Sequence, residues 1–186
     1  LGHRVTGIDL GERMVEIAQR KAAIKLLPVT FLPGDAEKPD FPDNTFDCVI
    51  CRHLLWTLPH PDTAIREWLR VCKAGGLIIA IDGHANPHEY FPPVDESTPK
   101  NMRSHKLWNQ TYSREIIAQL PLNNDLTLKS LMSLFSSLDL VDVQTQYIHE
   151  ISEYQKSLME KRQEESGHCE VNVIWGRVKK YPFLSG

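Results

Sequence analysis

Short apolar runs alternating with helical periods govern what this chain can fold into. Arg4-Val5-Thr6-Gly7-Ile8-Asp9 is a β-type run that ends on an acid. Apolar residues at Met14, Ile17, Ala18, Ala22 and Ile24 then mark a helix over Gly11 to Leu27, closed by Pro28. Val29 to Leu32 is a second strand, ending at Gly34-Asp35, and a polar, proline-containing loop runs from Glu37 to Asn44. Phe46 to Cys51 has the continuous apolar character of a buried strand. Asp62 to Lys73 follows as a helix with Ile65, Trp68, Leu69 and Cys72 on one face, ended by Gly75-Gly76, and Leu77 to Ile81 is the next strand. Strand and helix alternate at the spacing of βαβ units, which implies a parallel sheet wrapped by helices. Right-handed crossovers make that a doubly wound, Rossmann-like α/β fold.

The second half of the chain changes character. Gly83 to Tyr112 holds Pro87, Pro92, Pro93 and Pro99 and has no clear period, so it reads as a lid or a set of short helices. Ser113 caps a short helix that Pro121 terminates, and Leu128, Leu131, Met132, Phe135 and Leu138 mark an amphipathic helix. Val141, Val143, Thr145 and Tyr147 alternate as a strand. A charged helix over Ile151 to Ser166 carries a thin stripe of Ile151, Tyr154 and Leu158, with Gly167 as its C-cap. Val171, Val173 and Trp175 form a last alternating strand. Two alternating strands after a series of buried ones predict an antiparallel C-terminal pair added to a mostly parallel sheet. The expectation is a single domain over 1–186, with 83–140 as a substrate-side insertion or lid.

Composition narrows the function classes. The 186 residues carry a net charge of −3, which argues against a surface built to neutralise a run of phosphates, so no nucleic-acid partner is expected. The one dense basic cluster, Arg177, Lys179 and Lys180, reads as a solvated strand terminus. No apolar run approaches the ~20 residues of a membrane helix, so no membrane span is expected. Cys48 and Cys51 have zinc-like spacing, but three positions apart on a strand they face opposite ways and cannot chelate one ion. Buried reduced thiols in a cytoplasmic protein are the simpler reading, and no metal is expected.

In an open α/β sheet, ligands bind where strands end. Asp9 stands at such an end, where a carboxylate can accept a hydrogen bond from each hydroxyl of a ribose. A helix N-cap is the alternative role, and nicotinamide-binding enzymes share the ribose feature. Gly34-Asp35-Ala36 ends the next strand. There a second acid could accept from the amino group of an adenine while the next backbone N–H donates to a ring nitrogen, or the segment could be a plain turn. Two strand-end acids one βαβ unit apart match the two ends of an adenosine. His84, His88 and Glu89 have helical zinc-site spacing, but Pro87 between them opposes a continuous helix, so a loop is expected.

Taken together, these stretches resemble one family. Val5-Thr6-Gly7-Ile8-Asp9-Leu10 with Met14-Val15-Glu16-Ile17-Ala18 is similar to the second strand and helix of class I S-adenosylmethionine-dependent methyltransferases. Gly34-Asp35-Ala36-Glu37, then Phe41-Pro42-Asp43-Asn44-Thr45-Phe46-Asp47, resembles their adenine loop and fourth strand. Arg70-Val71-Cys72-Lys73-Ala74-Gly75-Gly76-Leu77 resembles the junction into the fifth. The small-molecule group that includes quinone-biosynthesis C-methyltransferases is the nearest in pattern. The likeness is strong over residues 3 to 83 and looser through Trp175-Gly176-Arg177.

The resemblance implies S-adenosyl-L-methionine as cofactor, in-line methyl transfer and a small-molecule acceptor. It implies that Asp9 holds the ribose, that Leu10 lies against the adenine, that Asp35 and Ala36 read the adenine edge, and that Cys51 or Arg52 lines the methionine end. His53, beside the end of the Phe46 strand, is the candidate general base, with a packing role as the alternative. Trp56 and His60 are candidates for shaping the pocket, with core packing the alternative for Trp56. One departure is expected to matter: the family's first strand and glycine-rich turn would lie just ahead of His3, so the sheet should have a gap between the Asp9 strand and the Phe46 strand. That motivates a competing expectation of a catalytically inactive binding module. A nicotinamide-dependent oxidoreductase is a further alternative.

Overall fold

The computed structural model describes residues 2–84, 113–122, 127–162 and 170–179. Those residues form six strands: β1 (Val5–Asp9), β2 (Val29–Pro33), β3 (Phe46–Arg52), β4 (Cys72–His84), β5 (Leu140–Tyr147) and β6 (Glu170–Val178). The helices are α1 (Glu12–Ile24), α2 (Pro61–Val71), α3 (Arg114–Ile117), α4 (Leu128–Ser136) and α5 (His149–Arg162), with one 3₁₀ turn at Leu55–Thr57.

The strands divide into two sheets. β1 pairs with β2 in parallel, Val5 opposite Val29 and Asp9 opposite Pro33. The other sheet has the order β3-β4-β6-β5. In it β3 and β4 are parallel, while β6 runs antiparallel to both β4 and β5. The expected α/β architecture and antiparallel C-terminal pair are therefore present, and β6 lies inside that pair while β5 forms the edge. The expected gap is present as well: β1 and β3 are not hydrogen-bonded to each other. Val5 of β1 and Ile50 of β3 are both exposed. Near the start of the strands a hydrogen bond from Lys73 holds the Asp47 carboxyl below its usual range, with a smaller electrostatic contribution from Arg4 at the foot of β1.

One face of the larger sheet makes the core. Cys51, Ala80 and Ile174 stand in register across β3, β4 and β6. With Ile78 and Leu140 they pack beneath Ala64, Ile65 and Trp68 of α2 and Leu131 and Phe135 of α4. The opposite face, carrying Ile79, Ile81 and Trp175, is only half-buried. Cys51 is buried as expected but Cys48 is exposed, since positions three apart on β3 face opposite sides of the sheet.

Several element ends differ from expectation for local reasons. α1 stops at Ile24, before Pro28, because Leu26 adopts a left-handed φ of 51° and the Leu27 and Leu26 N–H groups bond back to the carbonyls of Ala22 and Ala23. This is the 6→1 and 5→2 pattern of a Schellman turn, formed here without the usual glycine. The buried face of α1 is Val15 and Ala22, whereas Met14 and Ile24 are exposed. α2 ends at Val71 instead of Lys73, since Cys72 already pairs with Phe46. Gly75 and Gly76 thus serve a bend within β4, where two steps along β3 (Phe46 to Cys48) match five along β4 (Cys72 to Leu77). Gly75 takes φ 80°, and a Cβ on Gly76 would come within 2.6 Å of the Cys72 sulfur and 2.8 Å of the Asp47 carbonyl.

α4 begins with a capping box in which Thr127 and Ser130 satisfy each other's backbone N–H groups. Two residues of the expected apolar stripe of α5 face water, a polar side chain meets β6, and the side chain of Leu158 lies outside the described ones. Ile151 and Tyr154 are exposed, while the fully buried Ser152 accepts from the Val171 N–H at 3.0 Å and donates to the Ile148 carbonyl. Of the lid expected over 83–140, Gly83 and His84 end β4, while residues 85–112, with His88 and Glu89, lie outside the described residues, as do Gly167 and Lys180.

Phe135 is fully buried at the centre of the core. Phe135→Ala should lower unfolding stability by about 3–5 kcal/mol, as urea denaturation would show by a lower midpoint. A chimera placing a relative's first strand and glycine-rich turn ahead of Leu1 should melt higher than residues 1–186, because it supplies partners to the open edges of β1 and β3. Equal melting temperatures would contradict that account.

Candidate functional site

β1 and β2 pair in parallel, as do β3 and β4, so within each pair the carboxyl ends and the turns that follow lie side by side. The polar residues at those strand ends make up the candidate site.

Asp9 ends β1. Its Oδ1 accepts the Gly11 N–H at 2.8 Å, which fixes the carboxylate against the turn into α1. The N-cap of α1 is Gly11, with no side-chain cap. Asp9 is therefore not the cap residue, and among the described residues its Oδ2 has no hydrogen-bond partner. Leu10 follows with 78% of its surface exposed, a large apolar side chain with no core to enter. The Gly34 N–H bonds to the Asp9 carbonyl at 3.0 Å, tying the end of β2 to the end of β1.

Beyond Gly34, Asp35 is exposed and its Oδ1 accepts the Glu37 N–H at 2.8 Å. Ala36 gives its carbonyl to the indole N–H of Trp68 at 2.9 Å, so the buried α2 tryptophan holds the loop from below. Glu37 reaches across to the start of α2, where its two carboxylate oxygens take the His60 backbone N–H at 2.7 Å and pair with His60 Nδ1 at 3.0 Å. His60 is thus an anchor for this loop at the N-cap of α2, a role its expected place in the pocket wall did not include. Trp56 is buried in the 3₁₀ turn after β3, which accords with the packing alternative.

The rest of the 34–45 loop is fastened by one cation. The Arg70 guanidinium donates to the carbonyls of Pro39 and Phe41, and to the carboxylates of Asp43 and Glu67. Those charged partners push its pKa up further, led by Glu67.

At the end of β3, Cys51 is buried and Arg52 exposed. Burial, reinforced by the negative charge of Asp82, pushes the Cys51 thiol well above its usual range. His53 extends the β3–β4 ladder by one bond, from its N–H to the Ile81 carbonyl at 3.0 Å, and takes a left-handed φ of 51°. A non-glycine residue held there costs about 1–3 kcal/mol, which neighbouring structure must offset. Its imidazole is 43% exposed, and Nδ1 lies 3.4 Å from Oδ1 of Asp82, a carboxylate only 3% exposed at the end of β4. Asp82 did not stand out in the sequence. The only signal was an acid directly after the apolar run Leu77 to Ile81, the same signature that marks Asp9.

The structure thus places Asp9 and Leu10 at the end of β1, Asp35 and Ala36 just past the end of β2, and Cys51, Arg52 and His53 at the end of β3. Arg70→Met should release the loop, and hydrogen–deuterium exchange of amides 38–45 should quicken while that of β4 and β6 stays unchanged.

Residues 1–80 match the family model of the methyltransferase domain. A phosphatidylethanolamine N-methyltransferase from Cereibacter sphaeroides is 39% identical over 99 residues, which cover 51% of this chain and 49% of that protein. A ubiquinone/menaquinone biosynthesis C-methyltransferase from Pseudomonas paraeruginosa is 40% identical over 76 residues, 40% of this chain and 30% of that protein. The chain therefore spans about half, or less, of the length of these curated relatives. In fold it is similar to a Haemonchus contortus phosphoethanolamine N-methyltransferase 2 solved with phosphomonomethylethanolamine and S-adenosylhomocysteine. That match has a TM-score of 0.62 at 17% identity and covers 97% of this chain and 45% of the other. Residues 1–80 are thus similar to the methyltransferase domain, and the fold is similar to that of solved methyltransferases.

Proposed function

We propose that this chain belongs to an enzyme that transfers a methyl group from S-adenosyl-L-methionine to a small-molecule acceptor. The observation that carries the reading is the pair of strand-end acids, Asp9 and Asp35, each with one oxygen fixed by its own turn. The donor set suits an adenosine. Asp9 Oδ2 can accept from a ribose hydroxyl. The Ala36 N–H, which has no acceptor among the described residues, can donate to a ring nitrogen while Asp35 accepts from the exocyclic amine. Leu10 offers an apolar surface for the base. Cys51 and Arg52 would stand toward the amino-acid end.

When bound, the cofactor supplies an activated methyl on a sulfonium, so what falls to the protein is placement. The 34–45 loop, held by Trp68, Glu37 with His60, and Arg70, sets the adenosine end. His53 is placed to take a proton from an acceptor that must lose one. The 83–140 region would shape the acceptor pocket, and residues 1–186 would form one domain. The named relatives point to two acceptor classes, an ethanolamine amine and a quinol ring carbon. The amine is the better match to His53, because an ammonium must lose a proton before it can act as a nucleophile.

Among the described residues no helix is long and apolar enough to cross a membrane, so a lipid acceptor would be met at a surface.

Calorimetric titration with S-adenosylhomocysteine and with NAD, on residues 1–186 and on the chimera described above, tests the reading. Adenosylhomocysteine should bind, more tightly to the chimera, and NAD should not. Asp9→Ala should weaken that binding about 10- to 100-fold, the loss of a hydrogen bond to a charged acceptor. Binding of NAD in place of adenosylhomocysteine would overturn it. Transfer of labelled methyl to phosphoethanolamine, to phosphatidylethanolamine vesicles or to a demethylated quinol would identify the acceptor class.

A further inference from the structure

The buried carboxylate of Asp82 has no place in cofactor binding as described above, yet it lies against the candidate base. Parallel pairing of β3 with β4 sets Arg52 opposite Ile81, so the next residues of the two strands, His53 and Asp82, emerge side by side. The bond from the His53 N–H to the Ile81 carbonyl and the left-handed backbone at His53 turn the ring toward β4. Nδ1 then lies 3.4 Å from Asp82 Oδ1, with the carboxylate 3% and the imidazole 43% exposed. Among the described residues Nε2 has no partner.

A carboxylate can only accept, so its neighbour nitrogen must carry the proton. In a neutral imidazole that leaves the lone pair on Nε2. We propose that Asp82 is a positioning residue that holds His53 in the Nδ1–H form, leaving Nε2 as the nitrogen that takes the acceptor's proton. This rests on the methyltransferase reading. The acceptor's N–H or O–H bond breaks, its electron pair stays on the acceptor as nucleophile, and the proton forms a new N–H bond at Nε2. The imidazolium so formed is stabilised by the Asp82 carboxylate and returns its proton to water. Cys51, whose thiol is kept protonated beside the same carboxylate, does not compete for it.

Ring ¹⁵N NMR of histidine-labelled residues 1–186 tests the pairing without any cofactor, with the His53 signals assigned by comparison with His53→Gln. Neutral His53 should show the Nδ1–H pattern, and Asp82→Leu should shift it toward Nε2–H while a thermal melt confirms that the variant is folded. Asp82→Asn, which keeps the side-chain shape, gives a second comparison if the leucine variant melts early; loss of the Nδ1–H preference is again expected. An Nε2–H pattern in the unsubstituted chain, or an unchanged pattern in a folded variant, overturns the proposal.

Methyl transfer to the acceptor found above supplies the functional arm. Asp82→Leu should lower kcat about 100-fold with little change in KM for the cofactor, and should cost nothing further in a His53→Gln background. Independent losses in the two backgrounds would also overturn it. Failure of adenosylhomocysteine to bind sinks the methyltransferase reading instead, and leaves the tautomer result standing by itself.

Discussion

The placement of the candidate site depends on how the 34–45 loop is clamped to α2. β1 and β2 form one sheet and β3, β4, β6 and β5 another, with no ladder between β1 and β3. The strand-end acids Asp9 and Asp35 stand at the ends of the first sheet's strands, and His53 and Asp82 at those of the second. Their mutual position is carried by the chain that joins β2 to β3. Trp68 grips the Ala36 carbonyl, Glu37 reaches to His60, and Arg70 spreads its donors over Pro39, Phe41, Asp43 and Glu67. Backbone carbonyls outside regular structure need donors when they are partly buried, and a tryptophan and an arginine on one helix supply them.

That clamp has a rigid base because α2 sits on the core. Ile65 and Ala64 are fully buried and Trp68 nearly so, against Ile78 and Ala80 of β4. The indole therefore does two things at once: its rings fill the core, while its N–H fixes the loop. The order in the larger sheet matters for the same reason. β6 inserts antiparallel between β4 and β5, so β4 is paired on both sides along the part that ends in Asp82. A strand held on two flanks gives its terminal carboxylate a fixed place, which an acid at an open edge would lack.

Legibility in the sequence followed the range of the interactions. Asp9 and Asp35 could be read because each ends an apolar run and its turn is local, closed within two residues. The opposed placement of Cys48 and Cys51 followed from strand alternation alone. By contrast, the end of α1 was misplaced because a leucine, not a glycine, takes the left-handed position of its Schellman turn. The end of α2 was misplaced because Gly75-Gly76 looks like a helix stop, yet it shapes a bend in β4 created by pairing with β3. Ile151 and Tyr154 of α5 were misread as a buried stripe, whereas Ser152 meets β6.

By itself the sequence determined the alternation of strands and helices, the acids at strand ends, the antiparallel finish and the family resemblance, since each is written in residues close together along the chain. It also anticipated the open seam between the Asp9 strand and the Phe46 strand. Only the tertiary structure decided that His60 anchors Glu37, that Trp68 and Arg70 hold the loop, and that His53 faces Asp82. Those pairs are separated by 23 to 32 residues, and what brings them together is parallel strand register and the seating of α2 on the core, neither of which leaves a periodic trace in the sequence.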